Sequence, residues 1–168
     1  MRRGALTPDA VVAEAARLVD EDGWEALHLG RLAERLEVRT PSLYKHVAGL
    51  PELRRRLRLE GLRGVAAAVG EAATVKELGR AYRAYARTHP GLYAATIEAP
   101  PEDDAELRAA ADAAVAPLLR VTGDDVHAAR AVRAALHGFV TLERAGGFGR
   151  PESVDASFDR LLARLATP

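Results

Sequence analysis

Apolar positions along the chain recur at spacings of three and four, and no stretch alternates with period two over the length of a strand. The first stripe is Val11, Val12, Ala15, Ala16 and Val19. Thr7-Pro8-Asp9 opens it with a capping hydroxyl, a first-turn proline and an acid at the positive end of the helix dipole. Asp22-Gly23 closes it, since glycine accepts the left-handed conformation of a C-terminal cap. Leu29, Leu32, Ala33 and Leu36 predict a short second helix. Thr40-Pro41-Ser42 predicts a third, with Pro41 at its first position and Leu43, Tyr44 and Val47 along it. Ala48-Gly49 breaks that helix, and Leu50-Pro51-Glu52 opens a longer one reaching about Val69.

The second half continues in the same manner. Thr74 and Glu77 have the spacing of a capping box, and Leu78, Ala81, Tyr82, Tyr85, Ala86 and His89 follow at helical spacing up to Pro90-Gly91. A short segment carries Leu92, Tyr93 and Ile97 as far as Pro100-Pro101. Asp103 to Val121 reads as a helix kinked at Pro117, because proline removes a ladder donor. Two more run from about Asp125 to Ala145 and from about Glu152 to Ala166. The prediction is an all-α chain of about nine helices: a three-helix head over 1–49 and a helical body over 50–168.

Composition narrows the chemistry. Hydrophobic residues make up 48% of the 168 residues and aromatics 5%, the balance of a helix-rich globular protein. Cysteine is absent, which excludes a disulfide framework, a thiolate zinc site and a cysteine nucleophile. His28, His46, His89, His127 and His137 form no i, i+4 pair with a carboxylate, so no metal is expected. There is no phosphate loop, dinucleotide fingerprint or serine elbow; neither catalytic residues nor a cofactor are expected. No apolar run approaches the ~20 residues of a membrane span, and Met1-Arg2-Arg3-Gly4 lacks a signal-peptide core, so a cytoplasmic protein is expected.

Charge is uneven along the chain. The formal net charge is zero, yet from His28 to Gly64 nine basic residues stand against four acidic ones. Acids gather in Asp20-Glu21-Asp22 and Glu102-Asp103-Asp104. The basic stretch is either a local field for phosphates or a solvated helix face.

Two short helices joined by a tight turn, behind a packing helix, are the geometry of a helix-turn-helix reader. The second would present Arg39, Thr40, Ser42, Tyr44, Lys45 and His46 to a major groove, while Leu43 and Val47 face the head. Pro41 would stiffen its N-terminus so that the dipole meets a phosphate, and Arg39 could pair with a guanine edge. His28 completes the candidate DNA contacts. Arg2 and Arg3 would follow the minor groove as an arm, or remain a terminal charge.

The run Leu32-Ala33-Glu34-Arg35-Leu36-Glu37-Val38-Arg39-Thr40-Pro41-Ser42-Leu43-Tyr44-Lys45-His46-Val47 resembles the signature of the tetracycline-repressor (TetR) family, and the likeness extends over about Thr7 to Val65. In the body, Tyr82 to Tyr93, Ala134 to Val140 and Ala145 to Phe148 resemble the branch with a His-Gly pair, here His137-Gly138, in its long penultimate helix. The resemblance implies a homodimeric regulator, on balance a repressor, that grips a palindromic double-stranded operator and is released by a small apolar effector. Tyr82, Tyr85, His89, Tyr93, Leu118, Leu136, His137 and Phe139 are the candidate effector-pocket residues, with plain core packing as the alternative. Val132, Val140, Phe158, Leu161, Leu162 and Leu165 are the candidate dimer surface. Two departures stand out. Glu37 occupies the turn position where the family carries glycine, and Gly49-Leu50-Pro51 lacks the lysine that grips a phosphate. They motivate an alternative: a helical dimeric adaptor whose head no longer binds DNA.

Overall fold

The computed structural model describes residues 6–166, so Arg2 and Arg3 lie outside the described residues. Within them the chain forms nine α-helices and no strand. They are α1 (Pro8–Asp22), α2 (Leu29–Arg35), α3 (Thr40–Leu43), α4 (Leu50–Val69), α5 (Val75–Thr88), α6 (Pro90–Ala94), α7 (Ala105–Val121), α8 (Val126–Arg144) and α9 (Val154–Leu165), with a 3-10 turn at Trp24–Ala26. Among the described residues no helix is long and apolar enough to cross a membrane.

Local capping sets most boundaries. Thr7, Thr74, Asp104, Asp125 and Ser153 each accept a backbone N–H of the first turn of the helix they precede. At α5 the box reaches one residue further back than expected: Thr74 caps Glu77 N, while Glu77 accepts from Ala73 N at 2.9 Å. Gly23, at φ 87°, ends α1.

The helices enclose two cores. In the head, Val11, Leu18, Leu27, Leu32, Leu43, Leu53 and Leu57 pack together, joined by Leu92 from α6. In the body, Leu62, Val65, Leu78, Leu107, Leu136, Phe158 and Leu162 belong to a second cluster. Helix α4 therefore serves both: Leu53 and Leu57 lie in the head, Leu62 and Val65 in the body. The head core extends past residue 49, because the first two turns of α4 are its fourth wall.

Helix α6 is the second bridge. Its N-terminus abuts α1, where a Cβ at Gly91 would collide with the carbonyl of Val19 and stand 2.7 Å from Asp20 N. The Asp20 carboxylate accepts from Gly91 N (2.8 Å) and Leu92 N (2.9 Å) and lies 3.1 Å from His89 Nδ1. A carboxylate at a helix start is favoured by the first-turn N–H groups that have no carbonyl partner within the helix.

Candidate nucleic-acid interface and body cavity

The turn between α2 and α3 is a Schellman closure. Val38 N donates to Ala33 O (2.9 Å) and Glu37 N to Glu34 O (3.0 Å). Glu37 takes the left-handed position, at φ 54°. The substitution of Glu for Gly therefore leaves the turn closed, at a backbone cost of about 1 kcal/mol.

Helix α3 spans only four residues, with Arg39 as N-cap, Thr40 first and Pro41 second, one place later than expected. So short a helix offers little dipole to a phosphate, which leaves any contact there to its side chains. Single turns extend it, His46 N donating to Leu43 O (2.8 Å) and Val47 N to the same oxygen (3.0 Å). Leu43 and Val47 are buried in the head, as their spacing predicted. Opposite them, Tyr44 is 60% exposed, beside exposed Lys45 and half-buried Ser42. Arg39 and Pro41 are exposed; Thr40 and His46 are half-buried. His28 is exposed ahead of α2, at its N-cap.

The basic stretch is largely spoken for within the fold. Arg31 pairs with Asp22, and Arg35 with Glu14 (2.6 Å) and Glu21 (2.8 Å). Arg55 makes a two-pronged bond to Asp104 (2.5 and 2.8 Å) and also reaches Glu106, which Arg63 shares. Arg56 pairs with Glu52, and Arg58 donates to the carbonyls of Glu98 and Ala99. The Arg55 guanidinium holds the Asp104 carboxyl down at about 2. Among the described residues, Arg39, Lys45 and Arg54 are the members of that stretch without a carboxylate or carbonyl partner. The local positive field is therefore narrower than the sequence count implied, and it centres on α3.

In the body, a cavity of about 210 Å³ is walled by Leu62 and Val65 of α4, Tyr82 of α5, Thr96 and Ile97 after α6, Leu118 of α7 and Arg133 of α8. A second, more open groove of about 420 Å³ lies between α6 and α8, lined by Tyr93, Ile97, His137 and Val140. A buried polar chain separates them: the Tyr82 and Tyr93 hydroxyls are 2.8 Å apart, and Tyr93 Oη is 2.6 Å from His137 Nδ1. Burial, then the charge of Arg133, pushes His137 below its ordinary pKa and so keeps it neutral. Arg133 also faces the Tyr82 hydroxyl. Either hydroxyl can donate in the Tyr82–Tyr93 pair, and the direction of the Tyr93–His137 bond follows the imidazole tautomer.

The expected pocket residues thus separate. Tyr82 and Leu118 line the cavity; Tyr93 and His137 line the groove. Tyr85 instead donates to Gly61 O (3.2 Å) between α4 and α5, where burial pushes its hydroxyl up to about 12. His89 sits at the α6 cap beside Asp20, Leu136 is fully buried core, and Phe139 stacks on Phe148 and Phe158. Of the expected dimer surface, Val132, Val140, Phe158 and Leu162 are buried inside the protomer, and Leu161 and Leu165 are half-buried. Sequence reasoning missed Arg133, Thr96 and the Asp20–Gly91 anchor. Only the Pro90-Gly91 pair hinted at a close backbone approach.

A small helix-turn-helix head packed through two helices onto an all-helical body with an internal cavity defines the one-component class of DNA-binding regulators. A family model described as the tetracyclin repressor-like C-terminal domain matches residues 75–165. The chain is 36% identical over 180 residues to the HTH-type transcriptional regulator Rv0681 of Mycobacterium tuberculosis, covering 98% of this chain and 82% of that one. Its fold is similar to that of the TetR-family regulator PfmR of Thermus thermophilus, at a TM-score of 0.66 and 22% identity over 98% of this chain and 97% of that one. It is also similar to ActR of Streptomyces coelicolor, solved in complex with (S)-DNPA, at a TM-score of 0.55 and 25% identity over 98% of this chain and 87% of that one. The chain belongs to the tetracycline repressor-like family of helix-turn-helix transcriptional regulators, which bind DNA.

Proposed function

We propose that this regulator is a repressor that binds a palindromic operator as a homodimer and leaves it when a small, largely apolar molecule occupies the body cavity. The observation that carries this reading is the double membership of α4, whose Leu53 and Leu57 belong to the head core while Leu62 and Val65 wall the cavity. About 7 Å of helix separates Leu57 from Leu62, so a ligand wedged against Val65 tilts the head directly. Helix α6 acts in parallel. It is gripped by Asp20 at its start, and Thr96 and Ile97 of the cavity wall follow its end. ActR, a protein of similar fold, was solved with the small molecule (S)-DNPA bound, which supports a ligand-binding body.

In the dimer, two α3 helices would enter successive major grooves about 34–36 Å apart. Tyr44, Lys45 and Arg39 would make the exposed contacts, with Thr40, Ser42 and His46 at the edge. The second copy would pack on the outer face of α8, where Ala131, Ala134, Ala135, Gly138 and Leu142 share one helical stripe, together with Leu161 and Leu165 of α9. Small residues along that stripe would let the two α8 backbones approach closely. Leu142 is 50% exposed in the single chain, and a Cβ at Gly138 would meet open space. A ligand shifts the operator equilibrium only by its difference in affinity between the two states; a hundredfold release requires about 2.7 kcal/mol.

The test is a mobility-shift titration against DNA flanking the protein's own gene, at two salt concentrations. Binding should weaken with salt at a slope of about −0.9 per neutralised phosphate. A folded chain that shows no salt-sensitive binding would return the adaptor reading to favour.

A further inference from the structure

Several arginines that brace the body are committed. Arg55 and Arg63 hold Asp104 and Glu106, Arg80 holds Asp159, Arg83 holds Glu143, Arg120 caps the carbonyls of Gly70 and Ala72, and Arg144 reaches Pro90 O. Arg133 differs. It lies on the wall of the 210 Å³ cavity, it faces the Tyr82 hydroxyl, and no carboxylate is in ion-pair distance of it among the described residues. The remaining wall is mostly apolar, from Leu62, Val65, Val115 and Leu118. Glu98 also borders the cavity, but it is exposed at the rim and makes no ion pair with Arg133.

We infer that the molecule this cavity takes is a small carboxylic acid, its apolar body between α4 and α7 and its carboxylate on Arg133. The inference rests on the effector reading given above. A guanidinium presents a planar fork of donors that matches a carboxylate, and Arg133 is the one cation on this mostly apolar wall among the described residues. The Tyr82 hydroxyl is one acceptor against the several N–H donors of the Arg133 fork, which leaves donors over for a carboxylate. One cation with a carboxylate at the rim suits a monoanion, not a phosphate dianion. Size narrows the class further. The cavity is below the ~300–1,000 Å³ of drug-sized sites, so it holds roughly ten non-hydrogen atoms: an aryl or short alkyl acid.

The experiment uses the full chain and isothermal titration calorimetry at neutral pH. The probes are phenylacetate and octanoate, each against its neutral amide. At least one acid should bind ten times or more tighter than its amide. Arg133→Gln should reduce acid binding by at least tenfold and leave the amide within twofold, Arg133→Lys should fall between, and Glu98→Gln should leave or improve acid binding. Arg133 lines the cavity from its solvent-exposed edge, and a thermal melt of each variant checks that the fold is kept. Equal binding of acid and amide, an acid preference that survives Arg133→Gln, or no binding of either acid at millimolar concentration overturns the assignment. The operator assay separates the two readings. An acid that binds through Arg133 without releasing DNA refutes effector release and leaves the ligand class standing. Release by the amides alone does the reverse.

Discussion

Replacing Gly91 with alanine tests the joint between head and body. An exposed helical glycine normally gains about 1 kcal/mol on becoming alanine, because alanine loses less backbone freedom and shields the helix. Here the sign reverses. The added methyl would meet the Val19 carbonyl and the Asp20 amide, both backbone atoms that cannot rotate away. Forcing such a group into a filled space costs about 1–3 kcal/mol. Moving α6 outward also stretches the two bonds from Gly91 N and Leu92 N to Asp20, each worth about 1.5–3 kcal/mol as bonds to a charged group, less what water restores. The expected loss is about 3–4 kcal/mol, a large part of a total of roughly 5–15 kcal/mol. Urea unfolding should show a lower midpoint at unchanged slope, and the melting temperature should drop by roughly 6–15 °C. Asp20→Ala should cost less by itself, and the double variant less than the sum, since both act at one contact. A neutral or stabilising Gly91→Ala would show that α1 and α6 do not touch in this way, and the α6 route from cavity to head would fall with it.

Tyr44→Ala should abolish operator binding in the mobility-shift assay while circular dichroism and the dimer's sedimentation stay unchanged; retained binding would move the reading surface off α3. Glu37→Gly should relieve the left-handed backbone and raise stability by at most about 0.5 kcal/mol once glycine's larger chain entropy is subtracted from the roughly 1 kcal/mol relieved, read as a slightly higher urea midpoint. Leu142→Glu places a charge on the outer face of α8 and should convert the dimer to monomer in sedimentation velocity with little change in the protomer's helix content; a dimer that survives puts the interface elsewhere. His137 has its folded pKa below the unfolded value, so above about pH 6.5 neither state is protonated and the ring contributes no pH dependence. Below that the unfolded chain takes up a proton that the folded one resists, and stability falls with pH until the folded value is reached. His137→Gln should flatten the stability slope in that window, whatever it does to the absolute stability; an unchanged slope would mean the ring is not held neutral by its surroundings.

The helices, their order and most of their ends were legible in the sequence because the interactions that set them are local. A Thr7 hydroxyl caps a donor three residues on, and a stripe such as Val11, Ala15 and Val19 repeats every turn. The inward face of the α3 segment was legible for the same reason: Leu43 and Val47 must face inward if Tyr44 and Lys45 face out. Charge was not. Arg55 counts as positive in any window of sequence, yet its partner Asp104 is 49 residues away, and only the packing of α7 on α4 brings them together. On α8 and α9 the inward and outward faces were not legible either, for a different reason. Core and interface are both apolar, so residue type cannot say that Val132 and Phe158 point inward while Leu142 points out. The same holds for the cavity: Tyr85 and Tyr82 are one turn apart on α5, and the tertiary fold sets one against Gly61 and the other on the cavity wall. What the chain determines by itself is what neighbours within a few residues can settle. The charge left for DNA, the face left for a partner and the space left for a ligand are remainders after long-range packing is satisfied, and only the assembled structure decides them.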